Sequence, residues 1–331
     1  MAPWAAMEAT RRIVLTSPAA DRIRPDLRRI DGLDVVVRYD LADAREVEVL
    51  AKGLAGAWAT IAGSEPYTTA LYEAAPELKA ILRWGTGSDA IDIAGATDAG
   101  VAVITTPGVN AEAVADLALA LMLACIRRLP QLDEAVRTAA WRIDGPTRDL
   151  AGSTVGVVGL GAIGRAVTRR VRAFGCRVLA VEPYPDQEFC QRYAVELTDL
   201  ESMLPLLDVL TLHAPADASS RGLIGAEQLR VLPNHAVVVN AARGELIDQA
   251  ALIEALNTGQ IAAAGLDVFE REPVPADDPI LRAPNTILSG HIASFTELGL
   301  DRTAQAVLAN LDDVLAGRLP KSCLNPAAWA V

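Results

Sequence analysis

Short apolar runs alternate with segments of helical periodicity along most of the chain. In the second half the apolar runs recur every ~20–30 residues, which is the spacing of strands joined by helices. This pattern predicts a parallel sheet with six strands, the number of a full dinucleotide-binding sheet. The predicted strands are Val155–Gly159, Arg177–Glu182, Val209–Leu212, Ala236–Ala241, Ala262–Val268 and Thr286–Ser289.

The first half shows the same alternation and predicts a second α/β unit. A long apolar-periodic helix, Glu297–Leu315, closes the chain. The most apolar helical run, Ala113–Ile126, is too short to span a bilayer and should be stopped by Pro130. It is therefore either buried or packed at a subunit interface. The predicted strands of the first half are Ile13–Leu15, Val35–Val37, Ala57–Ile61, Leu78–Leu82 and Val101–Ile104, with helices Thr68–Ala75 and Asp92–Ala99.

The turn after the strand at Val155 has the pattern G-x-G-x-x-G, with glycines at 159, 161 and 164. In a dinucleotide site the first glycine allows a tight turn, the second lets the backbone approach the pyrophosphate, and the third permits close packing of the helix. The helix N-terminus offers free N–H groups to the phosphates. Glu182 ends the next strand, where a carboxylate can accept hydrogen bonds from ribose hydroxyls. The alternative is a βαβ unit whose glycine turn holds no ligand.

Composition excludes several classes of function. The net charge of -12 argues against a nucleic-acid partner, because phosphate neutralisation needs a basic surface. Four scattered cysteines and three histidines predict neither a disulfide framework nor a metal site, and they indicate reduced thiols in a cytoplasmic protein. Residues 1–10 lack the basic and apolar regions of a signal peptide, and no membrane partner is expected.

Polar residues at the carboxyl ends of the predicted strands are candidates for chemistry, since ligands of open α/β sheets bind there. They are His213, Arg243, Asp267, Glu272 and His291. Hydride transfer to a keto acid needs an acid at the carbonyl oxygen, which suits His291, and a cation for the carboxylate, which suits Arg243. Glu272 could hydrogen-bond His291 and favour its imidazolium. Each residue also has a structural alternative, as a surface histidine, a loop-capping arginine or a solvated acid.

A second glycine-rich loop, 83–88, follows the predicted strand at Leu78–Leu82. It reads Arg83-Trp84-Gly85-Thr86-Gly87-Ser88, and its backbone amides could face a small anion. An ordinary turn between a strand and a helix fits the same residues equally well.

Several segments in order resemble the D-isomer-specific 2-hydroxyacid dehydrogenase family, over roughly Leu71 to Pro326. The segment 240–248, NAARGELID, resembles the family's N-x-x-R-G-x-x-[VI]-D signature, and 265–273, GLDVFEREP, resembles its (G/A)-x-D-V-F-x-x-E-P segment. The segment 290–294, GHIAS, is similar to P-H-I-(A/G)-(G/S), with Gly290 in place of the usual proline. Leu212-His213-Ala214-Pro215 and Thr106-Pro107-Gly108 also match.

The resemblance implies an NAD-dependent dehydrogenase of a small D-2-hydroxy or 2-keto acid, with Arg243, Glu272 and His291 as catalytic residues. It implies that Asp267 hydrogen-bonds the nicotinamide carboxamide and that the loop 83–87 binds the substrate carboxylate. No metal is expected. The expected cofactor contacts are Gly159, Gly161, Ala162, Ile163, Gly164, Glu182, His213, Pro215, Ala241, Ala242, Arg243, Asp267, His291 and Ser294, and the expected substrate contacts are Arg83, Trp84, Thr86, Gly87 and Arg243.

The resemblance also implies an architecture of two Rossmann-like α/β domains. A doubly wound NAD domain, 106–293, would be inserted into a smaller flavodoxin-like substrate domain formed by 1–105 and 294–331. A homodimer is expected from the family and from the apolar helix at Ala113–Ile126.

Departures from the family pattern narrow the expected ligands. Phosphoglycerate dehydrogenases of the family carry an arginine where this chain has Ala62-Gly63-Ser64, so glyoxylate or hydroxypyruvate is favoured over 3-phosphoglycerate. Trp84 replaces a small residue and could narrow the substrate pocket. Glu182 would repel a 2′-phosphate, and no basic residue follows it before Asp186, so NAD is favoured over NADP. The alternative function is a non-catalytic, corepressor-like NAD(H) sensor of the same fold.

Overall fold

The computed structural model describes residues 10–330. The chain divides into two compact units, Met1–Asn110 with Glu297–Val331, and Ala111–Thr296. These breaks lie a few residues beyond the predicted domain boundaries, which stay predictions. The expectation that the N-terminus holds no signal peptide rests on residues 1–9, which lie outside the described residues.

The first unit contains a parallel five-stranded sheet in the order β2-β1-β3-β4-β5, the order of flavodoxin-like folds. Side chains of a strand alternate between its faces. Ile13 and Leu15 accordingly share a core cluster with Val307 and Leu311 of the C-terminal helix, whereas Val14 belongs to the cluster on the other face. The strands are β1 Arg11–Leu15, β2 Leu33–Val37, β3 Ala59–Ala62, β4 Ala80–Arg83 and β5 Ala102–Ile104, and the helices are α1 Arg24–Leu27, α2 Val47–Gly53, α3 Thr69–Ala74, α4 Ile93–Asp98 and, in chain order, α12 Glu297–Leu315.

The second unit contains a parallel seven-stranded sheet in the order β12-β11-β10-β9-β6-β7-β8. The strand order reverses between β6 and β9, which is the position where doubly wound sheets bind ligands. Its strands are β6 Thr154–Val158, β7 Arg177–Val181, β8 Val195–Leu197, β9 Val209–Leu212, β10 Val237–Asn240, β11 Ala263–Leu266 and β12 Thr286–Leu288. Its helices are α5 Ala111–Ile126, α6 Leu129–Arg137, α7 Ala162–Ala173, α8 Gln187–Arg192, α9 Leu200–Met203, α10 Ala226–Val231 and α11 Gln249–Asn257.

The predicted α/β class with two doubly wound units is confirmed. Two elements of the second unit were not predicted, whereas α5 ends at Ile126 as the sequence predicts. The sheet has a seventh strand, β8, which is only three residues long and exposes Glu196 and Leu197 at the sheet edge, so it leaves no apolar run in the sequence. Pro130 lies in the first turn of a further helix, α6, where its missing N–H costs nothing.

The apolar helix α5 is a buried helix of the second unit. Ala115, Ala118 and Met122 are fully buried and share a core cluster with Val155 and Val157 of β6. One face of α5 is therefore buried within the unit, and its packing against a second subunit stays a prediction. Within residues 10–330, the helices are all too short or too polar to cross a membrane.

Candidate active site

The three fingerprint glycines follow β6, at the point where the strand order reverses. Gly159 has φ +87°, and a Cβ there would lie 2.7 Å from the backbone of His213 and Ala214. A Cβ on Gly164 would lie 2.0 Å from the carbonyl oxygen of Gly159, so this glycine permits the close packing of α7 on the strand. A Cβ on Gly161 would meet no atom within 4 Å, so this position faces open space. The turn at Gly159 and the close packing at Gly164 are therefore as the sequence predicts, and the approach of a dinucleotide to Gly161 stays a prediction.

The N-terminus of α7 begins in that open space. Gly161 is its N-cap and has no side chain with which to cap the helix. The first N–H groups of a helix, here those of Ala162 and Ile163, have no intrahelical partners and carry the positive end of the helix dipole. The side chain of Ile163 packs against the apolar cluster of Val114, Ala241 and Ala293.

Glu182 directly follows β7 and holds the fingerprint loop. One carboxylate oxygen accepts the N–H of Leu160 at 2.7 Å, and the other accepts the N–H of Tyr184 at 3.0 Å. A carboxylate has about four acceptor positions, so this anchoring leaves capacity for ribose hydroxyls. Open space at Gly161, an uncapped helix end and an anchored carboxylate together fit a dinucleotide.

His213 follows β9 at the same edge of the sheet. Its ring is buried, and Nε2 lies 2.9 Å from the hydroxyl of Thr211. Burial lowers the pKa of His213 to about 3, so the ring is neutral. Its Nδ1 has no hydrogen-bond partner in the part of the chain that the structure describes. Pro215 continues this loop, and its carbonyl accepts the hydroxyl of Ser220 at 2.7 Å.

The loop after β10 presents Arg243. The amide of Asn240 shapes it, because its NH₂ donates to the carbonyl of Arg243 at 2.8 Å and its oxygen accepts the N–H of Ala242 at 3.1 Å. Ala241 and Ala242 are buried. A Cβ on Gly244 would lie 1.9 Å from the backbone of Phe269, so only glycine fits beside the neighbouring loop. The Arg243 guanidinium donates to the carbonyl of Ala242 at 2.6 Å.

Asp267 directly follows β11, is fully buried, and organises the turn that carries His291. Its carboxylate accepts the hydroxyl of Ser289 at 2.7 Å and the N–H groups of Ile292 and Ala293 at 3.0 and 2.9 Å. Its backbone carbonyl accepts the N–H of His291 at 2.7 Å. His291 has φ +54°, a left-handed conformation that a non-glycine residue keeps only where its surroundings impose it.

The side chains of His291 and Glu272 form the hydrogen bond that the sequence predicts, with Nδ1 2.6 Å from Oε2. This bond raises the pKa of His291 against the effect of burial; the charges of Glu272 and Asp267 add to the shift, and that of Arg243 opposes it. Partial burial pushes the pKa of Glu272 upward, but the bond to His291, the charges of His291 and Arg243, and the N–H of Phe269 hold it below its ordinary value. Arg243, Glu272 and His291 therefore lie within electrostatic reach of one another.

The predicted substrate loop lies in the first unit, after β4. Gly85 has φ +130°, and the hydroxyl of Thr86 donates to the carbonyl of Thr106 at 3.0 Å. The guanidinium of Arg83 donates to the carbonyl of Trp84. The Trp84 indole is buried in the core of this unit, so its observed role is packing, and its effect on a substrate pocket stays a prediction.

Two polar contacts, one in each unit, were missed by sequence reasoning. Arg165 of α7 contacts the fingerprint loop, although no basic residue lies near Glu182 in the sequence. Glu65, after β3, is a buried carboxylate that accepts hydrogen bonds from Gly63 and Tyr67 at 3.2 and 2.8 Å. Neither stands in a motif, so only the folded chain reveals its contacts. Among residues 10–330, no group of three or more His, Cys, Asp or Glu is arranged to hold a metal ion.

Comparisons with known proteins agree with this geometry. Residues 119–293 match the sequence model described as D-isomer specific 2-hydroxyacid dehydrogenase, NAD binding domain. The chain is 39% identical over 267 residues to the glyoxylate reductase of Korarchaeum cryptofilum, covering 79% of this chain and 80% of that protein. It is also 39% identical over 301 residues to the D-3-phosphoglycerate dehydrogenase of Archaeoglobus fulgidus, covering 91% of this chain but only 56% of that protein.

Solved structures show the same likeness. The crystal structure of the TT0316 protein of Thermus thermophilus superposes with a TM-score of 0.82 at 34% identity, covering 95% of this chain and 99% of that one. The chain therefore belongs to the D-isomer-specific 2-hydroxyacid dehydrogenase family. It is an oxidoreductase that acts on the CH–OH group of a 2-hydroxy acid, and its cofactor is NAD.

Proposed function

We propose that this protein reduces a small 2-keto acid of the glyoxylate or hydroxypyruvate type to the D-2-hydroxy acid. The proposal is carried by the hydrogen bond between His291 and Glu272, on a turn held by Asp267. Bound NADH supplies the hydride that adds to C2 of the substrate. The remaining tasks, proton transfer and orientation, belong to the protein.

In this proposal His291 donates the proton that the substrate oxygen needs as it becomes a hydroxyl. Glu272 occupies Nδ1, which leaves Nε2 as the nitrogen for proton exchange, and the carboxylate favours the imidazolium form. Arg243 binds the substrate carboxylate, because its fork matches a carboxylate in two hydrogen bonds. In the other direction the neutral imidazole of His291 accepts the hydroxyl proton.

The choice of a small substrate rests on the first unit and on the relatives. The loop after β3 has no cation at Ala62-Gly63-Ser64 and carries the buried carboxylate of Glu65, which disfavours a phosphate there. Relatives named glyoxylate reductase and glyoxylate/hydroxypyruvate reductase B match over 76–94% of their own length. The phosphoglycerate dehydrogenases match over only 49–59% of theirs. Binding of the substrate carboxylate by Arg83, Trp84, Thr86 and Gly87 stays a prediction from the resemblance.

Steady-state NADH oxidation with a panel of 2-keto acids tests this proposal. Glyoxylate or hydroxypyruvate should give the highest kcat/KM, above pyruvate and phosphohydroxypyruvate, and hydroxypyruvate should yield D-glycerate. A preference for phosphohydroxypyruvate would contradict the substrate assignment. Tight NADH binding without turnover on any member of the panel would favour the corepressor-like sensor.

We also propose a cytoplasmic homodimer. The four cysteines are free, as expected for a reducing compartment. Leu129 and Val136 of α6 and the following Trp141 are exposed by 49%, 56% and 70%, which gives the second unit apolar surface for a second copy. Light scattering should report twice the chain mass of 34.9 kDa, and a single-chain mass would contradict the dimer.

A further inference from the structure

A cation lies beside the fingerprint loop, although the sequence near Glu182 shows none. Arg165, in the first part of α7, donates from Nε to the carbonyl of Leu160 at 3.0 Å. The N–H of the same residue, Leu160, is bound by Glu182 at 2.7 Å. The backbone of Leu160 is thus held on both sides, because its N–H donates to the Glu182 carboxylate and its carbonyl accepts from the Arg165 guanidinium.

A second donor of Arg165 is directed to Asp186. Nη1 of Arg165 donates to Oδ2 of Asp186 at 2.7 Å, and its guanidinium lies 5.7 Å from the ring centre of Phe189. Asp186 is itself fixed, since it is the N-cap of α8 and its Oδ1 accepts the N–H of Phe189 at 3.1 Å. The side chains of Arg165 and Asp186 are 37% and 41% exposed, so a ligand at this edge can reach the pair.

We propose that Asp186 is a positioning residue that sets the preference for NAD over NADP by holding Arg165. Dinucleotide sites that accept the 2′-phosphate of NADP use an arginine near the acid that otherwise binds the ribose. This chain has both groups, Glu182 and Arg165, but Asp186 holds the guanidinium of the arginine through Nη1 and compensates its charge. Glu182 repels the 2′-phosphate of NADP, and Asp186 holds Arg165, the cation that would offset this repulsion.

The inference rests on the proposed dinucleotide site but not on the proposed substrate. A charge-assisted hydrogen bond between an arginine and a phosphate is stronger than an exposed ion pair of the Arg165–Asp186 kind. Releasing Arg165 should therefore improve NADPH binding more than it alters NADH binding. Because Glu182 remains, the released enzyme should still prefer NADH, though by a smaller factor.

The test is Asp186→Asn, which keeps an N-cap acceptor for α8 while removing the charge that holds Arg165. Asp199→Asn is the matched control, since Asp199 caps α9 through the N–H of Ser202 in the same way. The double variant Asp186→Asn/Arg165→Met removes the cation as well. Dissociation constants of NADH and NADPH are measured by fluorescence titration at low salt, and kcat/KM for each cofactor is measured with glyoxylate.

Asp186→Asn should raise the ratio of NADPH to NADH affinity roughly fivefold to tenfold. The control should leave both affinities unchanged, and the double variant should lose the gain. An unchanged ratio in Asp186→Asn, or a gain that persists without Arg165, would overturn the inference. If no keto acid is turned over, the proposed function fails, but the two binding constants still decide the role of Asp186.

Discussion

Asp267 acts on the site chiefly through the backbone that it holds. The resemblance assigns it to the nicotinamide carboxamide, whereas its observed partners are Ser289 and the N–H groups of Ile292 and Ala293. These bonds hold His291 in a left-handed conformation, close to Glu272. A contact to the carboxamide stays compatible, since a carboxylate can accept further hydrogen bonds. The buried acid therefore determines where the imidazole lies.

The pKa of His291 gives a pH prediction for Glu272→Gln. The hydrogen bond from Glu272 raises the pKa of His291, so removing the charge should lower that pKa. In the proposed mechanism keto-acid reduction needs the protonated ring and is lost as pH rises through its pKa, so the variant should lose kcat/KM at lower pH than the wild type. Glu270→Gln, the same change two residues away on an exposed side chain, is the control. An alkaline limb that does not move would contradict the role of Glu272.

Contacts between individual side chains were predicted only where the sequence had singled out both residues as candidates. The His291–Glu272 bond was predicted from the places of the two residues near the carboxyl ends of the strands, and the resemblance assigns both to one catalytic group. The pair Arg165–Asp186 was not predicted, because its residues come from different elements and no motif joins them. Trp84 packs in the core of the first unit, a contact that its place in a glycine-rich loop does not indicate, and its expected effect on a substrate pocket stays a prediction.

The bounds of a strand are predictable from its apolar pattern where the strand is buried on both faces. β6, β9 and β10 are almost wholly buried, and each was predicted to within one residue at both ends. β8 is an exposed edge strand and was missed, because its alternation is too short to be recognised. The order of the strands follows from the fingerprint, which places β6 where the order reverses.

Gly161 and Gly164, at the start of α7, should respond differently to substitution by alanine, one through cofactor binding and the other through stability. Gly161→Ala places a methyl group in open space, so the thermal midpoint should stay unchanged while NADH affinity falls roughly tenfold. Gly164→Ala places it 2.0 Å from the carbonyl oxygen of Gly159, so the protein should lose about 1–3 kcal/mol of stability. Thermal unfolding and NADH titration of both variants check this. Wild-type NADH affinity in Gly161→Ala would contradict an approach of the dinucleotide to this loop.

At the scale of the whole molecule, the net charge of -12 does not oppose a phosphate-bearing cofactor. The phosphates are expected to meet the N–H groups at the N-terminus of α7 rather than a basic surface. Both α/β units and the family were predictable, because linked motifs extend over most of the chain. The identity of the substrate was not predictable from the sequence, because the side chains that contact a small keto acid lie on loops without distinctive sequence patterns.

NADH turnover by the wild type and by His291→Ala, measured side by side with NADH binding, tests whether the imidazole of His291 is the proton donor. His291→Ala should reduce turnover of the preferred keto acid by about 10²- to 10⁴-fold, the typical contribution of a general acid, while NADH still binds. His235→Ala, a histidine that precedes β10 at the opposite end of the sheet, should behave as the wild type. Unchanged turnover in His291→Ala would contradict the claim that this imidazole, held by Glu272, carries the proton.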